Sequence, residues 1–267
     1  MAKYKALDED YKMLIDKFKK ISHKGYIQSL SNGFGAIGLT FEKLLNKEVD
    51  STYFPDYYGI EIKCSSRFSR YPLMLFSCAF DGPTYPEINR LINKYGYPDI
   101  DFKDKKILQA NLNCKTKTSV DNKYLFKLEI SDDKLFLVIY DKNDKLIEKK
   151  SFIYLDTLYN HLNLKLSKLA LIYASIKRQN DNTLFRYYKI TIYELISFKR
   201  FIKLLEDGTI HVSLSSRIGK SGKFLGKYKN KNLVFNIKKD DIEKLFNNVY
   251  TYNHDVKSDT NFQIFDI

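Results

Sequence analysis

The sequence has no tryptophan, only five prolines and eleven glycines among 267 residues, and three cysteines. So few prolines and glycines argue against long disordered linkers, and 44 % hydrophobic content fits a folded chain able to bury a substantial core. Cys64, Cys78 and Cys114 are odd in number, widely spaced and form no C-x-x-C pair. They read as reduced thiols of a cytoplasmic protein, not a disulfide framework or a zinc site. No apolar run approaches the length of a membrane span, and the N-terminus MAKYKALDEDYK has no signal-peptide core, so no membrane partner is expected. The scattered histidines His23, His161, His211 and His254 include no pair at metal-ligand spacing. A G-x-S-x-G elbow is also missing, which removes the sequence support for Ser-His-Asp catalysis.

Acid is scarce relative to base. Forty-five Lys and Arg against 32 Asp and Glu leave a net charge of +13, and polyanions, nucleic acid first, are the natural partners of such a field. Aromatic residues are plentiful, with 21 Tyr and 19 Phe.

The stretch around which the chain is organised is Tyr53 to Lys63, which reads as a turn followed by a strand. Pro55 restricts the backbone before Asp56, and Gly59 allows a sharp change of direction. Ile60-Glu61-Ile62-Lys63 then alternates apolar and charged, which puts Glu61 and Lys63 on one face of a half-buried strand. Asp56 can fold back beside Glu61. Two carboxylates and an ammonium at one spot outline a metal-dependent hydrolase. Mg²⁺ takes one or two carboxylates plus waters and phosphate oxygens, here from Asp56 and Glu61, with the Ile62 carbonyl as a further oxygen. Lys63 is suited to orient water or offset developing negative charge. The same D-x₄-E-x-K string also describes a surface strand with ion pairs, so the surrounding sequence has to decide.

Helical spacing of apolar residues predicts a helix from about Asp8 to Ser22 and a second from about Ala36 to Lys47 that carries Glu42. Beyond Lys63, Cys64 to Arg70 reads as a polar, basic loop leading into the strand Leu73–Ser77. A hairpin tip carrying Ser65 and Arg67 would suit phosphate contacts. Strands are expected over Leu108–Asn113, Lys123–Ile130, Lys134–Asp141, Leu146–Phe152, Leu169–Ile176 and Arg186–Tyr193. Helices are expected over Leu155–Leu166 and Ser197–Glu206, with Gly208 in the left-handed position after the latter. Thr209–Ser216 and Leu233–Ile237 read as strands joined by a ribbon carrying Arg217, Lys220, Lys223, Lys227, Lys229 and Lys231 with no acid. Such a ribbon can follow phosphates or lie along a groove, or it can be a solvated lysine-rich hairpin. His211, on the strand entering it, is placed for a base contact.

Gly35 to Leu45, with Glu42 before its leucine-rich end, followed by Pro55-Asp56-Tyr57-Tyr58-Gly59-Ile60-Glu61-Ile62-Lys63, resembles the MutH-like branch of the PD-(D/E)xK nucleases. Within it the chain is most similar to restriction endonucleases of the MvaI/BcnI type. The resemblance is specific over residues 33–66 and looser over the ribbon. It implies an α/β (α+β) fold with a mixed central sheet flanked by helices and a β-rich basic recognition lobe; residues 1–175 are expected as the catalytic lobe and 176–267 as the recognition lobe, with an approximate boundary, or the two as one compact unit. It implies a type II restriction endonuclease that hydrolyses DNA phosphodiesters with Mg²⁺, using Glu42, Asp56, Glu61 and Lys63. Double-stranded DNA would be the partner, a monomer the acting form, and a cognate methyltransferase a companion. Cys64 stands where relatives often have Thr or Ser. A MutH-like repair nickase and a non-catalytic nucleic-acid-binding module are the competing readings.

Overall fold

The computed structural model of the protein describes residues 2–33, 35–45, 55–229 and 232–254. The chain opens with α1 (Ala2–Lys5), α2 (Glu9–Ser22), β1 (Ile27–Gln28), α3 (Ala36–Leu44) and β2 (Glu61–Ser66). It continues through β3 (Leu73–Cys78), α4 (Glu87–Tyr95), β4 (Tyr97–Pro98), β5 (Lys106–Leu112), β6 (Thr118–Val120), β7 (Tyr124–Ser131), β8 (Lys134–Asp141) and β9 (Leu146–Tyr154). Next come α5 (Leu155–Leu166), β10 (Lys168–Gln179), β11 (Asn182–Leu195), α6 (Phe198–Glu206) and β12 (Ile210–Ile218). β13 (Tyr228–Lys229), β14 (Leu233–Ile237), α7 (Ile242–Leu245) and β15 (Phe246–Asn253) follow among the described residues. Among the described residues, no helix is long and apolar enough to cross a membrane.

Two compact units result, each assembled from separate stretches of chain. Unit 1 comprises Met1–Arg70, Leu164–Leu195 and Phe246–Ile267, and unit 2 comprises Tyr71–Asn163 and Ile196–Leu245. The division expected between residues 175 and 176 falls inside β10, which lies wholly in unit 1.

Unit 1 is built on a mixed sheet in the order β1-β11-β10-β2, with β15 also paired to β11. β10 runs parallel to β2 and antiparallel to β11. The run Leu169-Ala170-Leu171-Ile172 is fully buried, which is how a strand covered on both faces reads in sequence. α2 and α3 cover one face: Tyr11, Leu14, Ile15, Phe18 and Phe41 pack with Ile62, Ile172, Tyr187 and Ile190 in a single core. The Tyr187 hydroxyl donates to the Ile37 carbonyl at 2.7 Å, satisfying the polar tip of a buried ring.

Unit 2 holds a six-stranded sheet in the order β3-β14-β12-β5-β4, with β13 also paired to β12, and a four-stranded meander, β6-β7-β8-β9. Phe76 stacks on Phe235 at 4.7 Å, and Phe201 of α6 packs on both rings. Gly208 takes φ +77° and closes α6 by donating its N–H to the Leu205 carbonyl, as the sequence predicts.

Two local expectations are corrected. β2 continues through Cys64, Ser65 and Ser66, because these residues pair with Ile172, Tyr173 and Ala174 of β10; they are strand, not loop. Nor do β2 and β3 form a hairpin, since β2 pairs with β10 whereas β3 pairs with β14 in a different sheet.

Candidate active site and nucleic-acid interface

The turn before β2 explains how a short sequence brings its acids together. Tyr57 and Ile60 exchange two backbone hydrogen bonds around Tyr58 and Gly59, both at positive φ (+43° and +78°). Two consecutive left-handed residues make a tight hairpin turn, and glycine at the second removes half of its steric cost. The turn folds Asp56 back so that its Oδ2 accepts the Ile62 N–H at 2.9 Å. Asp56 is thereby fixed to the backbone of the strand that carries Glu61.

Glu61 is 1 % exposed. Lys63 Nζ donates to its Oε1 at 2.5 Å, and Lys165 Nζ lies 3.8 Å from the same oxygen. Its second oxygen, Oε2, is buried with no hydrogen-bond partner. Burial pushes the Glu61 carboxyl above its ordinary pKa, and the Asp56 charge adds to that rise; Lys63 and Lys165 oppose it without cancelling it. An acceptor oxygen left unsatisfied in a buried site is costly, and a cation or a proton is what would relieve it.

Glu42 lies on α3, which packs on β2. Glu42 and Asp56 both act electrostatically on the Cys64 thiol, which burial already pushes well above its usual range. The Cys64 thiol is therefore protonated near neutral pH. Among the described residues no three His, Cys, Asp or Glu side chains converge on a common point. Among the described residues, Asp56 is tied to the β2 backbone and Glu61 stands on the same strand, so two carboxylates belong to one short segment. Such a pair fits Mg²⁺, which is commonly held by one or two carboxylates and completed by water and phosphate, and the Glu61 Oε2 without a hydrogen-bond partner is a hard oxygen donor of the kind it takes.

Lys165 escapes sequence reasoning. It stands at the end of α5, one of many lysines, and reaches Glu61 because β10 begins just beyond it and Leu169 pairs with Glu61. Only the parallel β2–β10 pairing could have pointed to it.

The remaining expected residues divide between the units. Ser65, 6 % exposed, is on β2, and Arg67 donates its backbone N–H to Ala174 just past that strand. His211, Arg217, Lys220, Lys223, Lys227 and Lys229 are in unit 2, and Lys231 lies outside the described residues. β12 and β14 pair antiparallel, with His211 opposite Asn236, and Arg217 of β12 pairs with Lys229 of β13. Burial, reinforced by Lys238, lowers the His211 pKa, so the ring is neutral near pH 7. The ribbon is less purely basic than its sequence, because Lys220 pairs with Asp101 at 2.5 Å. A cavity of about 470 Å³ opens beside it, lined in part by Asp99, Gln109, Arg217, Lys220 and Lys229. Guanidinium, carboxamide and carboxylate groups in one concave site are the chemistry that reads base edges.

Comparison with known proteins decides the family. The model of the MvaI/BcnI restriction endonuclease family matches residues 15–246. The chain belongs to that family. It is similar to the structure described as "Restriction endonuclease MvaI-cognate DNA substrate complex", at 26 % identity and a TM-score of 0.83 over 93 % of this chain and 99 % of that one. It is also similar to "Restriction endonuclease MvaI in the absence of DNA", at 26 % identity and a TM-score of 0.57 over 91 % of this chain and 97 % of that one. No curated protein matches the chain. As a member of the MvaI/BcnI family, the protein is a type II restriction endonuclease with the mixed α and β fold that the resemblance implied.

Proposed function

We propose that this endonuclease is Mg²⁺-dependent and that unit 1 performs the hydrolysis. The observation that carries this reading is the buried Glu61 carboxylate, one oxygen held by Lys63 and approached by Lys165 and the other without a partner. Asp56 and Glu61, with the Ile62 carbonyl, would hold the ion, which when bound supplies a Lewis acid that offsets charge at the reacting phosphate and makes water a better nucleophile at neutral pH.

The chain's own groups do the rest. Asp56 keeps its orientation through the Ile62 N–H, so its carboxylate is set before substrate arrives. Lys63 is a partly exposed ammonium that can orient the attacking water and stabilise the developing phosphorane charge. Lys165 adds a second positive charge beside the same carboxylate. Glu42, on α3, would support the hydration of a bound ion. In unit 2 the cavity beside Arg217 and Gln109 would read bases, while Lys223, Lys227 and Lys229 would hold phosphates, as would Ser65 and Arg67 in unit 1. The reading includes action as a monomer on double-stranded DNA, in the cytoplasm, beside a cognate methyltransferase.

The test is incubation of mixed plasmid and phage DNA with Mg²⁺, against an EDTA control, with the ends sequenced. Discrete fragments sharing one short motif are expected only where Mg²⁺ is present. Equal cutting in EDTA would refute the metal assignment, and nicked circles alone would refute double-strand cleavage.

A further inference from the structure

The face of the unit 1 sheet turned away from the helices carries more than the catalytic pair. Ile62, Ile172, Ala174, Phe185, Tyr187 and Ile190 belong to the helix-covered core. Alternation therefore puts Lys63 and Ser65 of β2, Tyr173 and Lys177 of β10, and Arg186 of β11 on the other face. The register aligns them across the strands: Ser65 pairs with Tyr173, Tyr173 with Lys189, and Ser175 with Arg186. Lys189 sits 5.3 Å from the Tyr173 ring centre, which places it on the same face, and Lys177 sits 5.7 Å from that of Tyr26.

β2 ends at Ser66, opposite Ala174, while β10 and β11 continue to the turn after Gln179. The hairpin is thus an arm that leads away from Lys63 and carries Lys189, Arg186 and Lys177 in succession, Arg186 being buried. From Lys168 to Lys189 the sequence has one acid, Asp181, and it lies in the turn of that arm. Arg186 is only 7 % exposed, Tyr173 and Lys189 are half-buried, and Lys177 is exposed. Cations and hydroxyls at two-residue intervals, with no acid between them, fit a row of phosphates and offer little that could discriminate bases.

We infer that this arm is a phosphate track for the DNA strand being cut, extending from the scissile bond at Lys63 along Lys189 to Lys177, with the buried Arg186 adding positive charge beneath it. The inference rests on the nuclease reading of Glu61 and Lys63 and adds to it the strand and direction that unit 1 grips.

The test compares the wild type with Lys189→Ala, Lys177→Ala and the double variant, measuring duplex binding without Mg²⁺ across a salt series. Each lost phosphate contact is expected to reduce the slope of log K against log salt by about 0.9, and the double variant by about twice that. Replacing single phosphates of the cut strand by neutral methylphosphonates should weaken wild-type binding and leave the matching variant almost unaffected. An unchanged slope in the double variant, or penalties confined to the uncut strand, would overturn the track. Lys177→Ala, at an exposed position, carries the same test if Lys189→Ala unfolds. Mg²⁺ cleavage by the wild type is assayed on the same preparation. Failure to cut there would refute the nuclease reading alone, whereas cutting together with an unchanged slope would refute the track alone.

Discussion

Two buried glutamates, one in each unit, have opposite fates. In unit 2, Glu148 is 6 % exposed and its two oxygens are taken by Arg90 at 2.6 Å and Lys94 at 2.5 Å. Glu87 beside it accepts from Arg90, Ser151 and Thr84. Burial alone would raise the Glu148 carboxyl, yet the hydrogen bonds from Arg90 and Lys94 pull it down to about 2. In unit 1, Glu61 is as deeply buried and has two lysines near it, yet its carboxyl is raised and one oxygen has no partner. A carboxylate that only supports structure is saturated by its neighbours. One that, as proposed for Glu61, is kept for chemistry leaves an oxygen unsatisfied at a cost in stability.

The comparison breaks most sharply at Glu61. Glu61→Gln should lower Mg²⁺-dependent cleavage at least about 1000-fold, and Lys63→Ala at least about 100-fold, with duplex binding nearly retained, as gel-shift titrations beside single-turnover cleavage would reveal. Loss of binding in the Lys63 variant would contradict its assigned role.

Glu148→Gln should do the reverse. It leaves Arg90 and Lys94 short of a counter-charge and should cost about 2–3 kcal/mol by urea denaturation, while kcat of the folded enzyme stays within about twofold. The pH dependence follows from the sign of the shift. Because the folded pKa lies below the ordinary 4.5, the stabilisation is full above 4.5 and is lost as pH falls toward about 2. The stability gap between the wild type and Glu148→Gln should therefore narrow over that window. A gap constant with pH would mean that the hydrogen bonds matter and the charge does not.

Lys165→Ala should slow cleavage about 10-fold and Lys165→Arg less, since a second cation near Glu61 adds to a charge that Lys63 already supplies. Equal rates in Lys165→Ala and the wild type would reduce Lys165 to a surface lysine.

How legible these sites are in the sequence depends on how local they are. The Asp56 turn and the Ile60–Lys63 alternation use neighbouring residues, so a short window contains the whole device. α5 and the β12–β14 pair are read from periodicity and turn composition alone. The Arg90–Glu148 network joins residues 58 positions apart, and Lys165 reaches Glu61 only through strand pairing. Neither leaves a trace in a short window. Cys64-Ser65-Ser66 reads as loop because it lacks apolar alternation, and it becomes strand because β10 supplies the pairing. The two units resist a single cut for the same reason. β11 and β15 pair across more than fifty residues, so the sheet of unit 1 takes in the last strand among the described residues.

Calorimetric titration of Mn²⁺, as a stand-in for Mg²⁺, into the wild type, Glu61→Gln and Glu148→Gln at low ionic strength tests the contrast directly. The open position on Glu61 predicts binding by the wild type and by Glu148→Gln, and its loss in Glu61→Gln. Equal binding by all three would place the metal elsewhere and contradict the assignment of Glu61.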